Sequence, residues 1–220
     1  TQVTPRTFVV LEVSSFQLES SLSFHAKIAC ILNVTNNHLD RHGSFSSYRK
    51  IKERIFAYQD SESWAVLNSD APASVSLECR VRSRLATFSR TRLVTGACIQ
   101  RDSMCSTITA LSGRICRRKE LWAQGTHHEE NALAASLLAG LCGVPPEIAG
   151  QALRTFSGLP HRQQMVATIR GVTFVNDSKS TTFAAGFQAI QSAEGKVILI
   201  AGGRDKGSDF RKLKELKEKL

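Results

Sequence analysis

The sequence predicts an α/β protein with a mostly parallel sheet flanked by helices, and three features carry that expectation. Uninterrupted apolar runs occur at 7–13 (TFVVLEV), 27–34 (KIACILNV) and 196–201 (KVILIA), each closing on polar or glycine residues. Hydrophobicity that does not alternate indicates strands covered on both faces, as in a parallel sheet between helices. Stretches with helical spacing separate these runs, and one pair of segments, around Arg170-Gly171, reads as a hairpin.

Taken in order, 7–13 is expected as a buried strand leading into Glu12, Ser14 and Ser15, and 27–34 as a second leading to Asn33 and His38. Ligands in such sheets lie beyond the carboxyl ends of the strands, so these polar residues are expected at one mouth. A helix is expected from about Phe45 to Tyr58 with Ser44 as its cap, then a short strand at 64–68 (WAVLN). Residues 69–120 have short apolar pieces and little periodicity, and read as strands and loops. The Ala/Leu-rich segment 131–141 is a helix, and 145–156 a second with proline near its start, where a missing N–H costs nothing.

The pattern changes around Ser157-Gly158-Leu159-Pro160, which sets the expected boundary between domains 1–158 and 159–220. The second domain should open with strands 164–169 and 172–175. NDSKSTT (176–182) then leads into a helix with Phe183, Phe187 and Ile190 on one side, a buried strand at 196–201 and a charged helix near Phe210.

With 220 residues, 42% of them hydrophobic and 22% charged, the chain suits a soluble globular fold rather than disorder or a disulfide scaffold. No apolar run approaches the roughly 20 residues that cross a bilayer, and the opening residues have no signal-peptide pattern. The net charge of +10, with nine arginines between Arg80 and Arg118, raises the question of a polyanion partner. These arginines are scattered and lack interleaved aromatics for base stacking, so a solvated basic face is expected and nucleic acid is not. Cys30, Cys79, Cys98, Cys105, Cys116 and Cys142 show neither C-x-x-C nor paired Cys/His spacing, and read as reduced thiols in a cytoplasmic protein.

Lys52 stands out on helical geometry. It falls within a stripe made by Tyr48, Ile51, Ile55 and Phe56, while Arg49, Lys50, Glu53 and Arg54 take other directions. An inward amine loses hydration and becomes easier to deprotonate; a lysine whose stem packs while its ammonium reaches water is the plainer alternative. Glu12, at the end of a buried strand, needs a cation or metal partner, and His38 and Asp40 could share that cation. Such ligands suit a divalent metal bound with phosphate, although a hydrogen-bonded polar cluster fits the spacing equally well. His127 and His128 precede a helix with Asn131 in its first turn. Arg162 sits at the expected hinge, suited to clamp phosphate. Asp177, Lys179 and Thr181 lie at a strand-to-helix turn, and Gly202-Gly203 with Lys206 repeats that arrangement one strand later.

LEVSSFQLE (11–19), NVTNNHLDRHGSFSSYRKIKERIF (33–56), GTHHEENALAA (125–135), SGLPHR (157–162), NDSKSTT (176–182) and GGRDKGSDF (202–210) together resemble the Mur ligases of bacterial cell-wall synthesis. The six blocks run in order, with a poorly matched middle from about 70 to 120. SSFQLE, GLPHR and NDSK favour the D-glutamate-adding branch. The resemblance implies part of a central ATP-binding ligase domain over 1–158, followed over 159–220 by the first part of a Rossmann-like C-terminal, amino-acid-binding domain. It also implies ATP-dependent amide formation between UDP-N-acetylmuramoyl-L-alanine and D-glutamate through an acyl phosphate, in a monomer.

By motif position the resemblance assigns magnesium to Glu12 and His38, with His38 and Lys52 in catalytic roles and Lys52 as a carbamylated lysine. Ser14, Ser15 and Gln17 resemble the nucleotide-sugar contacts; Asn131, Arg162, Asp177 and Lys179 the ATP contacts; Thr181 and Lys206 the D-glutamate side-chain site. Several positions depart from the family pattern: Asn37 stands where Asp is usual, His128 where Asn is usual, and Thr182 where Asn is usual. No G-x-x-G-K-[ST] phosphate loop occurs, whereas the family carries one upstream of its matching strand. The expectation is therefore a ligase fragment with weak ATP binding and no turnover of its own. The competing expectations are a non-catalytic remnant with a basic polyanion-binding surface, and a related ligase such as another Mur enzyme or a folate polyglutamate synthase.

Overall fold

Strands form where an apolar run finds a ladder partner, and six do so in one sheet whose spatial order is its sequence order. In the computed structural model, which describes residues 3–4, 7–35, 37–108, 112–122, 125–203 and 209–220, these are β1 (Ile28–Ile31), β2 (Trp64–Asn68), β3 (Arg84–Ser89), β4 (Gly96–Gln100), β5 (Ser103–Ser106) and β6 (Gly113–Arg117). β1 to β4 are parallel; β5 and β6 are added antiparallel, as a meander. The mostly parallel sheet expected from the continuous apolar runs is present, extended on one side by the segment whose pattern was weakest.

Helices cover both faces. Ala29, Ile31, Ala65, Leu67 and Leu77 pack with Tyr48 and Phe56 on one side, under α3 (Phe45–Glu53) and α4 (Pro72–Val75). Val66, Phe88, Ala97, Met104 and Ile115 pack on the other side, against Leu133 and Leu137 of α5 (Thr126–Leu141) and Ala149 of α6 (Pro146–Thr155). Adjacent residues of β2 thus serve opposite cores, which is why the strand carries no polar alternation. α6 lies directly on β6: a Cβ on Gly150 would come within 1.9 Å of the Ile115 carbonyl oxygen, so only glycine allows the approach.

Two short helices precede and follow β1. α1 (Ser15–Ser20) starts on a capping box in which Ser14 and Gln17 satisfy each other's backbone N–H groups. α2 (Leu39–His42) begins after His38, held at φ 53°, and ends at Gly43. Ser44 caps α3 as expected, its hydroxyl accepting from the Ser47 N–H at 3.1 Å. The helix gives way to a 3₁₀ turn at Arg54–Phe56.

Beyond Gly158 the chain forms a hairpin, β7 (Gln164–Ile169) with β8 (Val172–Asn176), turning at Arg170-Gly171 with positive φ at both residues. α7 (Phe183–Ser192) follows, capped by Thr182.

Two expectations fail. Residues 7–13 are irregular and exposed rather than a buried strand, with Val10 93% accessible. Residues 196–201 are likewise irregular; their backbone meets the end of the chain through the Val197 N–H and the Lys219 carbonyl. Apolar content states that a run needs cover, but a strand also needs a neighbour to take its N–H and C=O groups. Neither run pairs with a strand among the described residues. The charged helix expected near Phe210 is present, as a 3₁₀ helix over Phe210–Leu216.

Candidate functional site

The polar residues flanking α1, α2 and α3 converge. Glu12, Val13, Ser14, Ser15, Gln17, Asn37, His38, Tyr48 and Lys52 line a single open cavity of about 360 Å³. Three pieces of chain separated in sequence supply it: the turn before α1, the left-handed bend before α2, and the inner side of α3. Glu12 reaches it from an exposed coil rather than from a strand end, so its charge is not stranded in a core as the sequence suggested. Asp40 is exposed and does not line the cavity, which corrects its expected share in a cation site.

Lys52 is half-buried, and loss of hydration lowers its pKa from the ordinary lysine value, with the Glu12 carboxylate pulling the other way. Its ammonium lies 5.8 Å from the centre of the Tyr48 ring. Tyr48 belongs to an aromatic wall: the Phe16 and His38 rings meet edge-on at 5.1 Å, and His42 stacks obliquely on Tyr48 at 5.4 Å. His42 is buried and shares a 3.1 Å hydrogen bond with the Ser15 hydroxyl through Nε2, while its Nδ1 has no partner among the described residues. Sequence reasoning passed over His42 and Phe16; the signal was the four-residue spacing of His38 and His42.

The donor set suits magnesium. That ion takes one or two protein ligands and keeps the remaining positions for water and phosphate oxygens. Glu12 and His38 supply a carboxylate and an imidazole facing open space. Among the described residues no group of three His, Cys, Asp or Glu forms a closed metal cage.

A second polar cluster joins the start of α5 to the hairpin. The His127 and His128 rings lie 3.9 Å apart, with Trp122 edge-on to His128. The Gln163 side chain bridges both histidines, at 3.2 Å to His127 Nε2 and 3.3 Å to His128 Nε2. In this orientation the amide presents its NH₂, a donor, to His127 Nε2 and its oxygen, an acceptor, to His128 Nε2. Burial lowers the pKa of both rings, with Asp177 opposing. Asp177 accepts from the Gln163 backbone N–H at 3.1 Å and from the Ser180 hydroxyl at 2.6 Å.

Glu129, in the first turns of α5, is nearly inaccessible and accepts from Arg90 Nε at 2.7 Å and Arg118 Nε at 2.6 Å. This triad ties α5 to the segments following β3 and β6. It also means that two of the expected surface arginines brace a buried carboxylate.

Of the other sequence candidates, Asn131 is exposed on the second turn of α5, because the helix starts at Thr126 rather than near Asn131. Arg162, Lys179 and Thr181 are exposed around the same hairpin, where the Lys179 N–H bonds the His161 carbonyl. Lys206 lies outside the described residues. Among the described residues no helix is long and apolar enough to cross a membrane.

Residues 2–139 match the family model for the Mur ligase middle domain. A UDP-N-acetylmuramoylalanine–D-glutamate ligase of Thermoanaerobacter sp. (strain X514) is 44% identical over 204 residues, covering 92% of this chain and 45% of the relative. The protein of the same name in Pelotomaculum thermopropionicum is 42% identical over 217 residues, covering 98% and 48%. The chain thus spans about half the length of the curated relatives it matches. Among solved structures, MurF from Acinetobacter baumannii superposes with a TM-score of 0.63 at 19% identity, over 76% of this chain and 37% of that one. A UDP-N-acetylmuramoyl-L-alanyl-D-glutamate–2,6-diaminopimelate ligase gives 0.61 at 22%, over 89% and 43%. At these identities the superpositions speak for the fold alone.

Proposed function

The chain belongs to the Mur ligase family, and from that premise we propose that it serves ATP-dependent joining of D-glutamate to UDP-N-acetylmuramoyl-L-alanine in cell-wall synthesis. The observation that carries the reading is the meeting of Glu12, His38 and Lys52 in one cavity. In this chemistry the muramoyl-alanine carboxylate attacks the γ-phosphate of ATP, giving an acyl phosphate and ADP. The D-glutamate amine then displaces phosphate to form the amide. Both steps crowd anions together, so the rate depends on positioning and charge neutralisation. Magnesium, with Glu12 and His38 as its protein ligands, would supply part of that neutralisation.

Lys52 fits the remaining part. Its lowered pKa enlarges the neutral fraction of the amine, which can add carbon dioxide and release a proton, becoming a carbamate beside Glu12 and His38. Ser14, Ser15 and Gln17 are assigned to the nucleotide-sugar side of the cavity. Asn131, Arg162, Asp177 and Lys179 are assigned to ATP, and Thr181 with Lys206 to D-glutamate. ATP and a nucleotide sugar as substrates put the reaction in the cytoplasm.

The test is a chimera in which this sequence replaces the matched 204-residue segment of the Thermoanaerobacter relative. D-Glutamate-dependent phosphate release is expected, reduced about a hundredfold or more by Lys52→Ala or Glu12→Gln, on the scale of a lost transition-state charge contact. A folded chimera that binds nucleotide but releases no phosphate with D-glutamate would defeat the reading.

A further inference from the structure

The antiparallel extension of the sheet holds a pair of thiols that the ligase chemistry does not use. Cys98 on β4 and Cys105 on β5 are direct cross-strand partners. Directly opposed residues in an antiparallel ladder have Cα atoms about 4.5 to 5.5 Å apart with side chains on the same face. Both spacings lie inside the range a disulfide spans.

The face is informative. Ala97 and Ile99 of β4 and Met104 of β5 point into the core beneath α5 and α6, so Cys98 and Cys105 point to the opposite side. On that side their ladder neighbours are polar: Ser89 opposite Cys98, and Arg114 opposite Cys105. Cys116 differs. It faces the core, 4.0 Å from the Met104 sulfur, and packs as a small hydrophobe. The thiols of the pair also differ in reach, since Cys98 is fully buried and Cys105 half-buried.

We propose that Cys98 and Cys105 form a reversible dithiol/disulfide couple, oxidised by low-molecular-weight disulfides. The accessible Cys105 reacts first. Its thiolate attacks the small disulfide, forming a mixed disulfide and releasing one small thiol. Cys98 then attacks the Cys105 sulfur and displaces the second small thiol. One Sγ–Sγ bond forms and one small disulfide bond breaks. Two electrons pass to the small disulfide, and the two thiol protons leave on the released thiols. Burial, together with the neighbouring Cys98, pushes the Cys105 thiol up from its ordinary pKa and the Arg114 guanidinium opposes this only in part, so the first attack is slow at neutral pH and speeds up as pH rises. The couple stands apart from the Lys52 cavity and holds whether or not the ligase reading does.

Trypsin provides a direct readout, because Arg101 lies between the two cysteines. The whole chain, folded, is incubated with oxidised glutathione, alkylated and digested without reduction. Peptides 93–101 and 102–114 are expected as one cross-linked species, two hydrogen atoms lighter than their sum and separated by dithiothreitol. Cys105→Ser should abolish the cross-link. Cys98→Ser should leave a stable glutathione adduct on Cys105, and Cys116→Ser should change nothing. Adducts without a cross-link in the unsubstituted chain would overturn the proposal, as would a dominant cross-link through Cys79, the most exposed thiol. Because the decisive digest is of the unsubstituted protein, it does not depend on any variant folding.

Discussion

Residues 27–34 and 196–201 look alike as sequence, each a lysine followed by five apolar residues. In the first, Ala29 and Ile31 are nearly inaccessible and the backbone pairs with β2. In the second, Ile198 and Ile200 are 90% and 94% exposed. The contrast extends to the regions around them. The six-stranded sheet and its helices hold almost all the buried apolar side chains, whereas among the described residues beyond Gly158 only Ile190 and Leu216 join them. Burial of an aliphatic side chain is worth about 2 kcal/mol, so stability should reside almost entirely in the first region. The Gln163 bridge to His127 and His128 joins the two regions by a polar contact.

The largest effect should come from the first region. Leu133→Ala removes a fully buried side chain where α5 packs on the sheet, and should cost about 3 kcal/mol in urea unfolding. A loss below about 1 kcal/mol would mean that the sheet region is not the seat of stability.

A smaller effect should appear at the polar contact. Both histidine pKa values are lowered from 6.5, so the folded form holds them neutral, and below that value the unfolded chain binds more protons. The linked stability is therefore complete above about pH 6.5 and is lost as pH falls through the lowered folded values. The bridge gives the same sign, since a proton on His127 Nε2 would face the Gln163 NH₂ and break that bond. Thermal unfolding between pH 8 and pH 5 should show the decline, and His127→Asn should flatten it. An unchanged profile in that variant would remove the bridge as its source.

The sheet and the Lys52 cavity were legible for different reasons. β2, α3 with its Ser44 cap, and the hairpin at Arg170-Gly171 follow from local pattern and turn chemistry, which a short window contains. The place of Lys52 follows from helical periodicity alone. Strand-end logic puts Glu12 and His38 at one mouth, and they do line one cavity although residues 7–13 form no strand; that Lys52 joins them is implied by the family resemblance, not by spacing. Strand existence was misread at 7–13 and 196–201 because pairing is a long-range property. The Glu129 triad and the Gln163 bridge were invisible for the same reason: each joins groups far apart in sequence. A single arginine carries no mark that distinguishes a strut from a solvated side chain.

The smallest expected effect tests the other half of the contrast. Ile198→Ser replaces a side chain that already faces solvent, so unfolding free energy should change by no more than about 0.5 kcal/mol. Exposed aliphatic side chains close together also favour association, so the same change should raise the concentration at which the chain stays monodisperse in light scattering. These readouts separate two physical situations. If Ile198 is bare in solution, stability stays level and solubility rises. A loss of 2 kcal/mol or more would mean that the run is covered when the protein is folded. Residues 196–201 would then behave as 27–34 do, and the contrast between the two runs would disappear.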